Sequence, residues 1–127
     1  MFWFKPLRAE LNAAPHARHS SPPWTAKNWG QTRRLLQCGG VEIWEAFARK
    51  GHRTSFHLHP MHRQIVYLLS GTIEVITNRR RLVVRDNTPV KVDARTAHEL
   101  RFFTDSHFVE VYRGHGDVMA SIQRIYQ

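Results

Sequence analysis

The sequence contains little cysteine and no long apolar run. Cys38 is the only cysteine among 127 residues, so no disulfide can form within the chain, and a reducing compartment is expected. No stretch approaches the roughly 20 apolar residues of a transmembrane helix. The first residues lack the basic segment and the apolar run of a signal peptide. We therefore expect a cytoplasmic protein without a membrane partner.

Acidic residues are also scarce. Asp and Glu number 10 against 19 Lys and Arg, which gives a formal net charge of +9. A solvated basic face is the simplest interpretation, and an anionic partner is the functional alternative. A nucleic-acid-binding barrel would need aromatic side chains among the arginines. The densest cluster, residues 79–81, has none, so a small anionic molecule is favoured over a nucleic acid.

The chain length and the hydrophobic content of 42% predict one folded domain. Residues 1–34 carry four of the six prolines and no sustained period, so we expect an irregular N-terminal arm. Residues 35–116 are expected to form the domain itself. In the tail, residues 117–127, Asp117 is placed to cap a short helix.

Short apolar runs separated by turn residues predict an all-β domain from residue 35 onwards. Regular spacing of short strands is typical of a sandwich or a small barrel. The predicted strands are 41–49, 64–69, 72–77, 82–85, 89–92, 100–103 and 108–112.

A His-x-His pair within this β region is the first candidate for chemistry. On a strand, residues two apart point to the same face, so His57 and His59 would project side by side. Pro60 disfavours continuing the ladder, and Gln64 opens the next strand. Imidazole binds Zn, Fe, Ni, Cu and Mn, and an amide oxygen suits the harder of these metals. Because the chain has nine histidines, ordinary surface histidines remain an alternative.

The spacing around this pair resembles the first cupin motif. That motif runs Gly, five residues, His-x-His, three or four residues, Glu, six residues, Gly. The sequence has Gly51, five residues, His57-Leu-His59, four residues, Gln64, six residues and Gly71. Glutamine in place of glutamate is the one departure.

The second cupin motif matches only in part. It runs Gly, five residues, Pro-x-Gly, two residues, His, three residues, Asn. These positions fall on Asn87, Asp93, Arg95, His98 and Phe102, so the histidine alone is retained.

The resemblance implies a cupin barrel, a double-stranded β-helix with jelly-roll-like topology, in the form of a homodimer. It implies one divalent transition metal (Zn, Ni, Fe or Mn) on His57, His59, Gln64 and His98. A glutamine ligand brings no negative charge, so we expect weaker metal retention and a preference for anionic ligands. Alternatively, Gln64 only hydrogen-bonds a histidine, or the site has lost its metal.

Two further resemblances suggest the substrate class. The run from His57 to Tyr67 is similar to the cupins that linearise unsaturated uronates in pectin and alginate degradation. Residues 27–30, 41–44 and 51–60 are similar to sugar-phosphate isomerase-type cupins. Both imply a small anionic sugar or sugar phosphate.

Four other residues are candidates beside the metal. Glu110 and Tyr112 share one face of a predicted strand and would act as general acid or base, or as hydrogen-bonded structural residues. Arg53 and Arg101 would bind a substrate carboxylate or phosphate through their N–H donors. The sequence leaves open whether the domain is an enzyme, doing isomerisation or ring opening by metal-assisted proton transfer, or a non-catalytic small-molecule-binding protein.

Overall fold

A computed structural model describes residues 22–126, which form eleven strands and one short helix. The elements in chain order are β1 (Thr25–Lys27), β2 (Gly30–Cys38), β3 (Val41–Ala48), β4 (Phe56–Leu58), β5 (His62–Ser70), β6 (Thr72–Thr77), β7 (Arg81–Arg85), β8 (Thr88–Val92), β9 (His98–Phe102), β10 (Ser106–Gly114), α1 (Val118–Ser121) and β11 (Gln123–Tyr126).

Two antiparallel sheets face each other. One sheet has the order β1-β2-β3-β10-β5-β8 and the other β11-β4-β9-β6-β7. Every second residue of β5 is buried: Gln64, Val66 and Leu68 point inward, and the residues between them are exposed or half-buried. Phe102 of one sheet stacks on Phe108 of the other, with ring centroids 5.7 Å apart. The prediction of an all-β double-stranded β-helix is confirmed.

The prediction of an irregular arm is wrong for residues 25–34. These residues form β1 and the first half of β2, which pairs with β3 from Gly30 to Cys38. Two tryptophans anchor this segment: Trp24 packs on Phe47, and Trp29 packs on the core ring Phe108. Aromatic packing thus outweighed the weak local pattern. The rest of the predicted arm, residues 1–21, lies outside the described residues.

The tail closes the second sheet. Asp117 caps α1 by accepting hydrogen bonds from the backbone N–H groups of Met119 and Ala120, as the sequence predicted. β11, which the sequence did not predict, then pairs with β4. Within residues 22–126, no helix is long and apolar enough to cross a bilayer.

Candidate metal centre

Three histidines meet between the two sheets. His57 lies on β4, His59 directly follows that strand, and His98 opens β9 opposite His57. Their exposures are 8%, 3% and 1%. One ring nitrogen from each lies within 4.8 Å of those of the other two. The structure therefore brings together the three histidines that the sequence singled out, although they are up to 41 positions apart in the chain.

Backbone carbonyls orient two of these imidazoles. Nδ1 of His57 donates to the Ser55 carbonyl at 2.8 Å, and Nδ1 of His98 donates to the Thr96 carbonyl at 2.8 Å. Each Nε2 consequently carries a free lone pair, and metal-binding histidines are commonly held in this way. In the described part of the chain, neither ring nitrogen of His59 nor Nε2 of His98 has a hydrogen-bond partner. Buried polar atoms without partners are rare, and a metal ion would satisfy these.

The environment keeps the imidazoles neutral, which is the form that binds metal. Burial lowers the pKa of His57 to about 4, with the neighbouring His98 adding to the effect. Burial and then the charge of His57 lower the pKa of His59 to about 3. Burial also lowers the pKa of His98.

Gln64 is the fourth candidate ligand that the sequence named. The side chain points inward from β5 and is 2% exposed. Its Nε2 donates to Oε2 of Glu110 and to the Tyr112 hydroxyl, the latter at 3.2 Å. Oε1 is buried and has no partner among residues 22–126. The donor set of three imidazoles and one amide oxygen fits a divalent transition metal.

The contact with Glu110 also explains why glutamine, and not glutamate, stands at position 64. The amide N–H of Gln64 donates to the Glu110 carboxylate. A glutamate at position 64 would place two carboxylates in direct contact, which disfavours ionisation of both. The negative charge of the site is thus on Glu110, which contacts a candidate metal ligand and is not itself one.

Glu110 and Tyr112 lie side by side on β10. The Tyr112 hydroxyl donates to Oε2 of Glu110 at 2.9 Å. Burial raises the pKa of Glu110 to about 7, against the hydrogen bond from Tyr112 and the charge of Lys27, which lower it. Burial, reinforced by the charge of Glu110, holds the pKa of Tyr112 well above its usual value. A carboxyl group that is half ionised near neutral pH is therefore next to a phenol that stays protonated.

A cavity of about 420 Å³ opens onto these groups. Its wall includes the three histidines together with Glu110 and Tyr112. Among the described residues that line it, three side chains are cationic (Lys27, Arg53 and Arg124) and Glu110 is the one carboxylate. Ligand pockets for small molecules commonly have volumes of roughly 300–1,000 Å³.

The sequences that define the cupin domain family match residues 44–112 of this chain, which is more than half of its length. The chain belongs to the cupin family. A comparison with curated proteins found no match.

Solved structures share the cupin architecture at low identity. KdgF from Halomonas sp. is 18% identical with a TM-score of 0.70, over 76% of this chain and 92% of that chain. An RmlC-like cupin from Shewanella frigidimarina is 14% identical with a TM-score of 0.71, over 83% and 95%. The DMSP lyase DddQ from Ruegeria pomeroyi is 15% identical with a TM-score of 0.70, over 83% and 61%. These likenesses show the fold.

The second cupin motif keeps its backbone geometry although its glycines are gone. Asn87 and Arg95 stand at the two glycine positions, and among the described residues they are the two non-glycine residues with positive φ, 61° and 66°. The Arg95 N–H donates to the His59 carbonyl at 3.0 Å. The loop before His98 is therefore joined to the strand that carries the His-x-His pair.

The structure separates the two arginines that were expected to bind substrate. Arg53 lines the cavity, whereas Arg101 lies on the outer face of β9 and is not part of the cavity wall. Both arginines contact the buried carboxylate of Glu99, at 3.4 and 3.5 Å. The position of Arg101 does not support the prediction that it binds substrate, because its side chain is not part of the cavity wall.

Three residues near the cupin site were missed from the sequence. His62 is 2% exposed and points inward two residues before Gln64, and strand parity could have indicated this. Lys27 and Arg124 line the cavity from β1 and β11. No local pattern could place them there, because each depends on a long-range strand pairing.

Proposed function

We propose that this cupin is a metal-dependent enzyme that acts on a small anionic carbohydrate, by isomerisation or ring opening through proton transfer. One observation carries the proposal: ring nitrogens of three buried histidines converge within 4.8 Å of one another, and a wall residue of the same cavity, Glu110, has its pKa raised to about 7.

The residues that would hold a divalent ion (Zn, Ni, Fe or Mn) are His57, His59, His98 and Gln64. A bound ion would act as a Lewis acid on a substrate carbonyl or hydroxyl oxygen. Because all four ligands are neutral, the ion would keep its full charge, and an anionic ligand would stabilise it.

Glu110 is proposed as the general base and acid. With a pKa of about 7, its carboxylate would accept a proton from substrate and return it to a neighbouring atom. Tyr112 stays protonated and donates to Oε2 of Glu110, and the Gln64 amide donates to the same oxygen. Both hydrogen bonds fix the orientation of the carboxylate towards the cavity.

The substrate class is inferred from sequence resemblance and from charge. The motifs resemble cupins that act on unsaturated uronates and on sugar phosphates. One structural neighbour is named as a DMSP lyase, so the fold also supports a lyase that acts on a small molecule. The cationic side chains of Lys27 and Arg124 at the cavity agree with an anionic ligand.

The test is elemental analysis of protein purified without a His tag, followed by turnover assays on 4,5-unsaturated uronates and hexose phosphates. We expect a divalent metal, and turnover of one substrate class that His57→Ala abolishes. His115→Ala, which changes an exposed histidine, is the matched control. Ligand binding without turnover would instead indicate a non-catalytic cupin. Absence of metal together with unchanged ligand binding in His57→Ala would contradict the proposal.

We also propose a homodimer. The outer face of the six-stranded sheet carries a row of apolar side chains in register, Ile43, Val111 and Ile65, and Ile65 is 36% exposed. Size-exclusion chromatography with light scattering tests this, and Val111→Arg should yield a monomer. A cytoplasmic location remains a prediction that is based on the single exposed thiol of Cys38.

A further inference from the structure

Lys27 and Arg124 belong to two strands, β1 and β11, that the cupin match does not cover. The family match ends at residue 112 and begins at residue 44, whereas β1 and β11 lie on either side of it. Each of these strands is at the edge of its sheet, β1 in the six-stranded sheet and β11 in the five-stranded one. Both contribute wall residues to the metal cavity.

Arg124 stands next to the histidine ligands. It is directly opposite His57 in the pairing of β11 with β4, and opposed residues in an antiparallel pair project to the same face of the sheet. Arg124 also lines the cavity onto which the three histidines open.

Lys27 lines the same cavity from β1. The side chain is half-buried in the wall, and its charge acts on Glu110 and on His57. Within residues 22–126, neither Lys27 nor Arg124 forms an ion pair with an acidic side chain. Arg53 differs, because its guanidinium contacts the buried Glu99 carboxylate.

The charges of the cavity do not balance without a ligand. A divalent ion on neutral ligands contributes two positive charges, Lys27 and Arg124 contribute one each, and Glu110 supplies at most one negative charge. A monoanion at the metal would leave both the half-buried Lys27 and the exposed Arg124 without a counter-charge in the cavity.

We propose that Lys27 and Arg124 form a clamp for a second anionic group of the ligand, so that the cavity selects small dianions over monoanions. This inference rests on the proposed function and narrows it: a sugar phosphate or a dicarboxylate fits the clamp, and a simple monocarboxylate sugar leaves it empty. Specificity then comes from the added edge strands, and the metal site comes from the cupin core.

Isothermal titration calorimetry at pH 8 and low salt tests the clamp. Glucose 6-phosphate and malonate serve as dianionic probes, and glucuronate and acetate serve as monoanionic probes. We expect nickel-loaded protein to bind the dianions at least about 10-fold more tightly, because a charged hydrogen bond contributes about 1.5–3 kcal/mol. Comparing the affinities for glucose 6-phosphate and malonate shows whether the second anionic group is a phosphate ester or a carboxylate.

The variants are Lys27→Met, Arg124→Met and the pair combined. We expect each single variant to weaken dianion binding about 10-fold, to leave monoanion binding within about 2-fold, and to leave the nickel content unchanged. Lys27→Arg should restore binding. Arg85→Met, which removes an exposed arginine outside the cavity wall, is the matched control.

If the Lys27 and Arg124 variants lose equal affinity for acetate and malonate, or lose affinity for neither, the proposed clamp is wrong. The same titrations on metal-free protein separate the clamp from the proposed function. Malonate binding that depends on Lys27 and Arg124 in a chain that takes up no metal would support the clamp and contradict the metal-dependent enzyme.

Discussion

The contact between Gln64 and Glu110 can be tested by changing one atom of the amide. In Gln64→Glu, the donor that faces Oε2 of Glu110 becomes a second carboxylate oxygen. Two charges about 4 Å apart interact with about 4 kcal/mol at the effective dielectric constant of about 20 that suits protein sites. One pH unit corresponds to about 1.4 kcal/mol, so the second ionisation of the pair should shift upwards by about 3 units.

The shift has a defined effect on the stability of metal-free protein. The pKa of Glu110 is already raised in the folded wild type, from 4.5 to about 7, so the folded state holds a proton that the unfolded state has lost. Stability therefore falls as the pH rises from 4.5 towards 7, and in Gln64→Glu this loss should continue well above pH 7. With metal bound, the added carboxylate should strengthen metal retention and slow turnover, because the proton of the pair is released less readily.

The assay is a pH titration of ¹³C-labelled glutamate side chains by NMR, with urea denaturation at pH 6, 7 and 8. Gln31→Glu, at an exposed position of β2, is the matched control and should titrate as a normal glutamate. If the two carboxylates of Gln64→Glu titrate independently, with Glu110 unchanged from wild type, then the side chains do not meet as described and the explanation for glutamine at this position is wrong.

Three further predictions concern the same site. In metal-free protein, His57 and His59 have pKa values of about 4 and 3, against 6.5 in the unfolded chain, so the unfolded chain binds more protons below pH 6.5. The free energy of unfolding should therefore fall by about 1.4 kcal/mol per pH unit for each histidine as the pH drops towards 4. Urea denaturation that gives the same stability across this pH range would contradict the prediction. Glu110→Gln should lower kcat on the substrate that is turned over by about 100-fold or more while the metal content stays the same, and retained activity would exclude Glu110 as the base. Arg95→Gly should raise the free energy of unfolding by about 1 kcal/mol, because glycine adopts the φ of 66° without strain, and a lower stability would refute that reasoning.

The sequence predicted the parts of the site that depend on local pattern. The His-x-His pair and Gln64 follow from strand parity and from motif spacing, and the structure points all three side chains inward. His98 was reached through one residue of a weak motif. The structure explains how His98 reaches the site although the motif around it is weak. Asn87 and Arg95, which stand at the glycine positions of the motif, have the left-handed backbone conformation that glycine favours.

The parts that were missed depend on pairings between distant segments. The ion pair of Arg53 with Glu99 crosses from the loop before β4 to β9, and no spacing rule relates those two residues. Glu99 itself is 2% exposed, and both guanidinium groups contact its carboxylate. Likewise, β11 and its residue Arg124 could not be predicted from local sequence, because their position depends on the pairing of β11 with β4.

The most direct test of the metal centre is the metal content of the untagged protein, measured by mass spectrometry after equilibration with Zn, Ni, Fe and Mn and removal of unbound ions. We expect about one ion per chain in the wild type and in His115→Ala, and little or none in His59→Ala, because His59 supplies one of the three buried imidazoles. A folded wild-type protein that retains none of these metals, or a His59→Ala variant that retains as much metal as wild type, would contradict a metal centre on His57, His59, Gln64 and His98.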